Sequence, residues 1–160
     1  MHSTKNDLPE LKRIPLIVLL NQALAELIDL QLQAKQAHWT VKGPNFIALH
    51  ELFDTVTADA AVFADSVAER IAALGGQAEG TINVVGLRTT LPAYPVELVA
   101  GRDHVDALST AMAVVGKSIR SSIDRAVKLD DAVTADLFTE VSRELDKKLW
   151  FVESHLHGNS

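Results

Sequence analysis

The spacing between its helical patterns constrains this chain more than any other feature. Ile14 to Val41 carries Leu16, Leu20, Leu24, Leu27 and Ile28 at helical intervals, and Pro15 suits a first turn, where no backbone N–H is needed. Gly43-Pro44 stops that pattern. A second helix is predicted over 46–74, closed by Gly75-Gly76. A third runs over 102–128 and, after the acidic turn Asp130-Asp131, a fourth over 134–155. The stretch 77–101 holds Gly80, Gly86, Pro92, Pro95 and Gly101 without a sustained period, leaving room for a short helix at most. There is no internal repeat and no low-complexity segment.

Two short links and one long one select a topology. Short links make antiparallel hairpins of the first two and the last two helices. A helix of about 29 residues is ~43 Å long at 1.5 Å per residue. A link of about 25 residues crosses that length with slack, at ~3.3 Å per extended residue. One long crossover between two hairpins predicts an all-α four-helix bundle of ferritin-like connectivity, against the plain up-down bundle. The predicted organisation is a flexible tail over 1–13, one bundle domain over 14–157 and a C-terminal tail over 158–160.

Composition excludes several classes. With no cysteine, neither disulfides nor thiolate metal sites are available. A net charge of -6 argues against broad nucleic-acid affinity of the folded body. The first thirteen residues are too polar for a signal sequence, and no uninterrupted apolar run approaches the ~20 residues that span a bilayer, so no membrane partner and a cytoplasmic location are expected. Only 22% of residues are charged against 48% hydrophobic, a balance that points to buried subunit interfaces.

The second helix carries the chemistry. From Phe46 to Glu69 it holds Glu51, Asp54, Asp59, Asp65 and Glu69, one histidine and no basic residue, where a solvated face normally mixes signs. With His50 at zero and ~100° per residue, Asp54 falls near ~40°, Asp65 near ~60°, Glu51 and Glu69 near ~100°, and Asp59 opposite. Carboxylates crowded on one stripe repel unless a cation sits among them. Yet Asp65 is ~22 Å from His50 along the axis, too far for one metal. His50 and Glu69 are equidistant from the point between Asp59 and Ala60, and so are Asp54 and Asp65. Two antiparallel copies about a twofold axis there would set His50 against Glu69 and Asp54 against Asp65 of the second copy, making one shared site twice per dimer.

His38 and His50 are equidistant from Pro44, so folding the first hairpin brings them together. Two imidazoles and three carboxylates form a mixed N/O set suited to iron, manganese or zinc. A lone histidine on an apolar face is usually a core residue; two that meet across a turn beside a carboxylate stripe are not. Trp39 reads as core, or as a radical sink if a redox metal binds beside it. His155 and His157 read as tail.

The segment KQAHWTVKGPNFIALHELFD, followed after ten residues by DSVAER, closely resembles the Dps family of miniferritins, named for DNA protection during starvation. The resemblance continues in AYPVEL within the crossover and in TADLFTEVSRELDKKLWFVESH, covering nearly everything from about residue 14 onward. Ordinary ferritins place Glu-x-x-His ligands inside one bundle, a motif absent here. In the family, the positions matching His38, His50 and Asp54 of one subunit, with Asp65 and Glu69 of its twofold mate, form a dinuclear Fe(II)/Fe(III) ferroxidase centre. The resemblance implies a hollow homododecamer, twofold interfaces carrying the metal sites, oxidation of Fe(II) preferably by hydrogen peroxide and otherwise by O2, and storage of ferric oxide. It also implies a mineral-nucleating role for Glu51 and an acidic iron-entry pore at Asp136 and Glu140; solvated helix positions are the equal alternatives for both.

DNA is where the chain departs from the family pattern. Members that bind DNA often use a lysine-rich tail; here only Lys5, Lys12 and Arg13 stand before Pro15, against two acids. The competing functions are a nucleoid-condensing protein with secondary iron chemistry, which would be nucleoid-associated, and an inert shell. Weak, salt-sensitive DNA binding is the expectation.

Overall fold

The computed structural model describes residues 1–157, so the C-terminal tail predicted over 158–160 lies outside the described residues. Its helices are α1 (Glu10–Thr40), α2 (Phe46–Ala73), α3 (Ile82–Arg88), α4 (Gly101–Lys128) and α5 (Ala132–Glu153). Helix α1 begins before the first periodic apolar residue, Ile14, because Pro9 and Glu10 are good helix-start residues that carry no apolar signal. Its link to α2 turns at Gly43, whose φ of 115° is open to glycine alone at no steric cost. Helix α2 ends at Gly75, with φ of 78°; a Cβ there would come within 2.7 Å of the His2 carbonyl oxygen.

The two hairpins form as the link lengths require, α1 against α2 and α4 against α5, and α1–α4 and α2–α5 contacts close the bundle. The Lys42 amide donates to the Val99 carbonyl at 3.0 Å, which sets the start of α4 beside the α1–α2 turn. At the opposite end, Arg70 of α2 pairs with Asp131 ahead of α5 at 2.9 Å. The segment between α2 and α4 therefore runs the length of the bundle, and α3 is its one helical turn pair. The core between the helices contains Phe53, Leu108, Met112, Ile119 and Phe138, each exposed by 1% or less. Each such side chain contributes about 1.5–3 kcal/mol relative to exposure.

Polar residues of α1 hold the crossover down. Asn21 bonds the backbone at Gln77 and Glu79, Gln22 donates to the Arg88 carbonyl and Gln33 to that of Pro92. Glu26 and Asp29 accept from the Thr90 and Thr89 hydroxyls. These bonds satisfy the polar backbone of an otherwise irregular strap. They also explain why α1 is enclosed on so many sides. It is the one described helix long and apolar enough to cross a membrane, yet 56% of its most apolar window is buried against the rest of the chain.

The segment expected to be a free tail is bonded to the body. The His2 amide donates to the Gly75 carbonyl at 2.7 Å. Arg13, 8% exposed, donates to the carbonyls of Leu8 and Leu74, capping the C-terminal end of α2. Lys12 pairs with Asp130 at 2.5 Å. Two of the three candidate DNA-contacting cations are thus helical residues with partners, and Arg13 is a buried capping residue rather than a mobile cation.

Candidate metal centre

His38 stands in the last turn of α1 and His50 in the second turn of α2, and the hairpin stacks their rings at 3.6 Å between centroids. Each ring anchors on the other residue's backbone. His38 Nδ1 lies 2.7 Å from the His50 carbonyl oxygen, and His50 Nδ1 lies 2.8 Å from that of His38. A carbonyl only accepts, so both Nδ1 atoms carry a proton and Nε2 is the nitrogen of each ring left for a metal. Orientation of a metal-binding imidazole by such a bond is the usual second-layer device of metal sites. Both rings are only half-buried.

Beside them opens a cleft of about 480 Å³ lined by His38, Ile47, His50, Glu51, Asp54, Thr55 and Ala58. Asp54 is exposed and bonded to Lys35 Nζ at 2.5 Å. That hydrogen bond holds the Asp54 carboxyl below its ordinary range against a smaller desolvation penalty, and the charge of Lys35 adds to it. Lys35 was missed in the sequence because it sits nineteen residues away on the other arm of the hairpin. It is a resident counter-cation on one candidate ligand.

Asp65 and Glu69 lie farther down the same exposed ridge of α2, which runs Ile47, Glu51, Asp54, Ala58, Val62, Asp65, Glu69 at intervals of three and four. Ile47 and Val62 on that ridge are each 61% exposed. Asp59, placed opposite by the helical arc, instead pairs with Lys148 of α5 at 3.2 Å. Among the described residues no three His, Asp or Glu side chains of one chain group closely enough to hold a metal. Glu69 faces a second cleft of about 370 Å³ that it shares with Arg70, Asp136 and Glu140. Asp136 and Glu140 are exposed one turn apart on α5, and Trp39, beside His38, is 67% exposed rather than core.

The chain matches the family model of the ferritin-like domain over residues 17–158. It is 46% identical to the DNA protection during starvation protein of Agrobacterium fabrum over 99% of this chain and 98% of that one. With the protein of that name from Mycolicibacterium smegmatis it shares 39% identity over 88% of this chain and 76% of the other. The structure of Mycobacterium smegmatis Dps superposes with a TM-score of 0.93 at 36% identity, covering 98% of this chain and 95% of that one. Dps from Microbacterium arborescens, in a form described as high-iron, superposes at 0.87 with 31% identity over 92% and 96% of the two chains. By sequence, connectivity and superposition alike, the chain belongs to the Dps family of ferritin-like proteins.

Proposed function

We propose that this protein oxidises Fe(II), preferably with hydrogen peroxide and more slowly with O2, and stores the ferric product in a hollow homododecamer, thereby protecting DNA from oxidative damage. The observation that carries this reading is the stacked pair of imidazoles at His38 and His50, each locked through Nδ1 on the other's carbonyl and both lining one cleft with Glu51 and Asp54. Asp54 joins them from the same chain, and Asp65 and Glu69 come from a second copy laid antiparallel on the ridge, where Ile47 and Val62 supply apolar contact. Five ligands of this kind hold two iron ions as substrate. Each Fe(II) gives one electron to one peroxide; its O–O bond breaks and both oxygens leave as hydroxide, so no hydroxyl radical is released. The carboxylates stabilise the Fe(III) product, and the imidazoles fix the geometry. Glu51, exposed beside the site, receives ferric product for nucleation, and Asp136 with Glu140 draws Fe(II) inward. The protein works in the cytoplasm.

A shared site is tested by mixing two inactive variants. Protomers carrying His38→Ala and His50→Ala, and protomers carrying Asp65→Ala and Glu69→Ala, are each expected to be inactive alone. Unfolded together and reassembled, random pairing about the twofold restores roughly a quarter of the sites. Peroxide-driven Fe(II) oxidation by the mixture is the expected result. A mixture as inactive as its parents would mean that each site lies within one chain.

Protection by iron removal rather than by coating follows from the pinned N-terminus. With Arg13 buried and Lys12 paired, Lys5 is the N-terminal cation left to reach phosphates, and few such contacts per subunit leave little binding near physiological salt. A gel shift visible at low salt and lost by about 150 mM is expected; tight binding at that salt would put the nucleoid-condensing function first.

A further inference from the structure

The second half of the crossover, 91–100, is irregular and, beyond Leu91, at least partly exposed along its length. The Gln33 side chain holds it at the Pro92 carbonyl and the Lys42 amide holds it at the Val99 carbonyl, each at 3.0 Å. Between those points the tie is a titratable side chain. The Tyr94 hydroxyl lies 2.6 Å from Nδ1 of His104, an α4 residue with no exposed surface.

That bond suits one protonation state of the imidazole. Burial pushes the Tyr94 hydroxyl well above its ordinary range, so it keeps its proton. The O–H donates to Nδ1, which accepts only while the ring is neutral. Nε2 then carries the ring's proton, buried and without a hydrogen-bond partner. A second proton turns Nδ1 from acceptor to donor against a hydroxyl that was itself donating, and it places a cation in the core.

The surroundings compensate that cation poorly. The crossover brings the Leu98 carbonyl and the neutral Tyr94, while Glu97 of the same segment is exposed. From α2 comes the uncharged ring of Phe53, 6.4 Å away between centroids. Asp103, on α4 itself, is the acid that acts on the ring, and it is exposed. Burial outweighs Asp103 and the Leu98 carbonyl, so the His104 pKa is lowered. Phe53 and His104 stand on long packed helices, whereas Tyr94 stands on a thin strap without helix or strand bonds. The strap is the part that can yield.

We propose that the Tyr94–His104 bond is an acid-sensitive latch, in which a proton on His104 frees the crossover over 91–100 while the four long helices stay packed. The open form takes up that proton near the ordinary histidine value of 6.5, the closed form only at a lower pH. The latch is therefore shut above that value. Below it, opening becomes up to about tenfold more favourable per pH unit, until the closed form is protonated as well. Iron takes no part, so the latch stands or falls apart from the ferroxidase reading.

The test is amide hydrogen exchange, read by mass spectrometry on the iron-free assembled protein from about pH 7.5 to about pH 5 and corrected for the intrinsic pH dependence of exchange. Opening of peptides covering 91–100 is expected to rise several-fold as pH falls, with the interiors of α1, α2, α4 and α5 unchanged. In His104→Gln the side-chain carbonyl can still accept from Tyr94 but does not titrate, and opening should not depend on pH. A wild-type crossover indifferent to pH overturns the latch. So does a variant that follows the wild-type curve, or an opening shared by all four helices. If His104→Gln fails to assemble, exchange of the imidazole C2 proton of His104 in the wild type decides. It should titrate below 6.5, and a value at or above 6.5 overturns the latch.

Discussion

Replacing both His38 and His50 by alanine is expected to slow peroxide-driven Fe(II) oxidation by at least ~100-fold, since loss of even the outer partners of metal ligands costs 10–100-fold. The assembly should survive. Both rings are half-buried, and what each contributes to the fold is a single bond from Nδ1 to a carbonyl near a helix end. Losing those bonds costs about 1 kcal/mol each, because water reaches the freed carbonyls. The apolar contacts that hold α1 to α2, among them Ala34, Ala37, Leu49 and Phe53, are untouched. Stopped-flow oxidation and light scattering on the same preparation check both halves. A wild-type rate in the double variant would remove the basis for the ferroxidase assignment, and a rate lost together with the assembly would leave the histidines as structural residues.

The largest stability effect is expected at Asp131, far from the iron site. This carboxylate is 2% exposed, and both of its oxygens accept from Arg70 Nη2 at 2.9 Å. It also caps α5 by accepting from the Thr134 amide at 3.1 Å and binds the Thr134 hydroxyl. Asp131→Ala removes the helix cap and leaves the Arg70 guanidinium, itself mostly buried, without its counter-charge. Breaking a buried pair from one side costs about 3–5 kcal/mol, more than the pair itself is worth, because the orphaned charge stays desolvated. Urea unfolding at pH 7 should show a loss of that size; a loss below about 1 kcal/mol would mean that water or another acid reaches Arg70.

The same residue gives the wild type a pH dependence of known sign. Burial by itself raises the Asp131 pKa, but hydrogen bonds from Thr134 and the hydrogen bond and charge of Arg70 outweigh it, and the net shift is downward. The unfolded chain therefore takes up the proton first as pH falls. The contribution is complete above the ordinary carboxylate value of about 4 and is lost as pH drops through the lower folded value. Asp131→Ala should thus show a flatter acid limb than the wild type. Equal acid limbs would assign the acid sensitivity to other carboxylates.

The sequence by itself determined the four long helices, their stops at Gly43 and Gly75, and the long crossover, because apolar periodicity and turn chemistry are local and survive any packing. It also determined the meeting of His38 with His50, which follows from their equal distance from Pro44, and it placed Asp59 off the acidic ridge. Helix α3 left no such trace, since seven residues of INVVGLR are too short to show a period. Nothing local in Gln22, Glu26, Asp29 and Gln33 marks them as the residues that bind the crossover. Only the tertiary structure decided that Lys35 holds Asp54, that Arg13 caps α2, that Tyr94 meets His104, and which nitrogen of each stacked histidine stays free. Each of those depends on groups far apart in the chain whose partners are chosen by burial and by the need to satisfy every buried donor, and neither has a local signature.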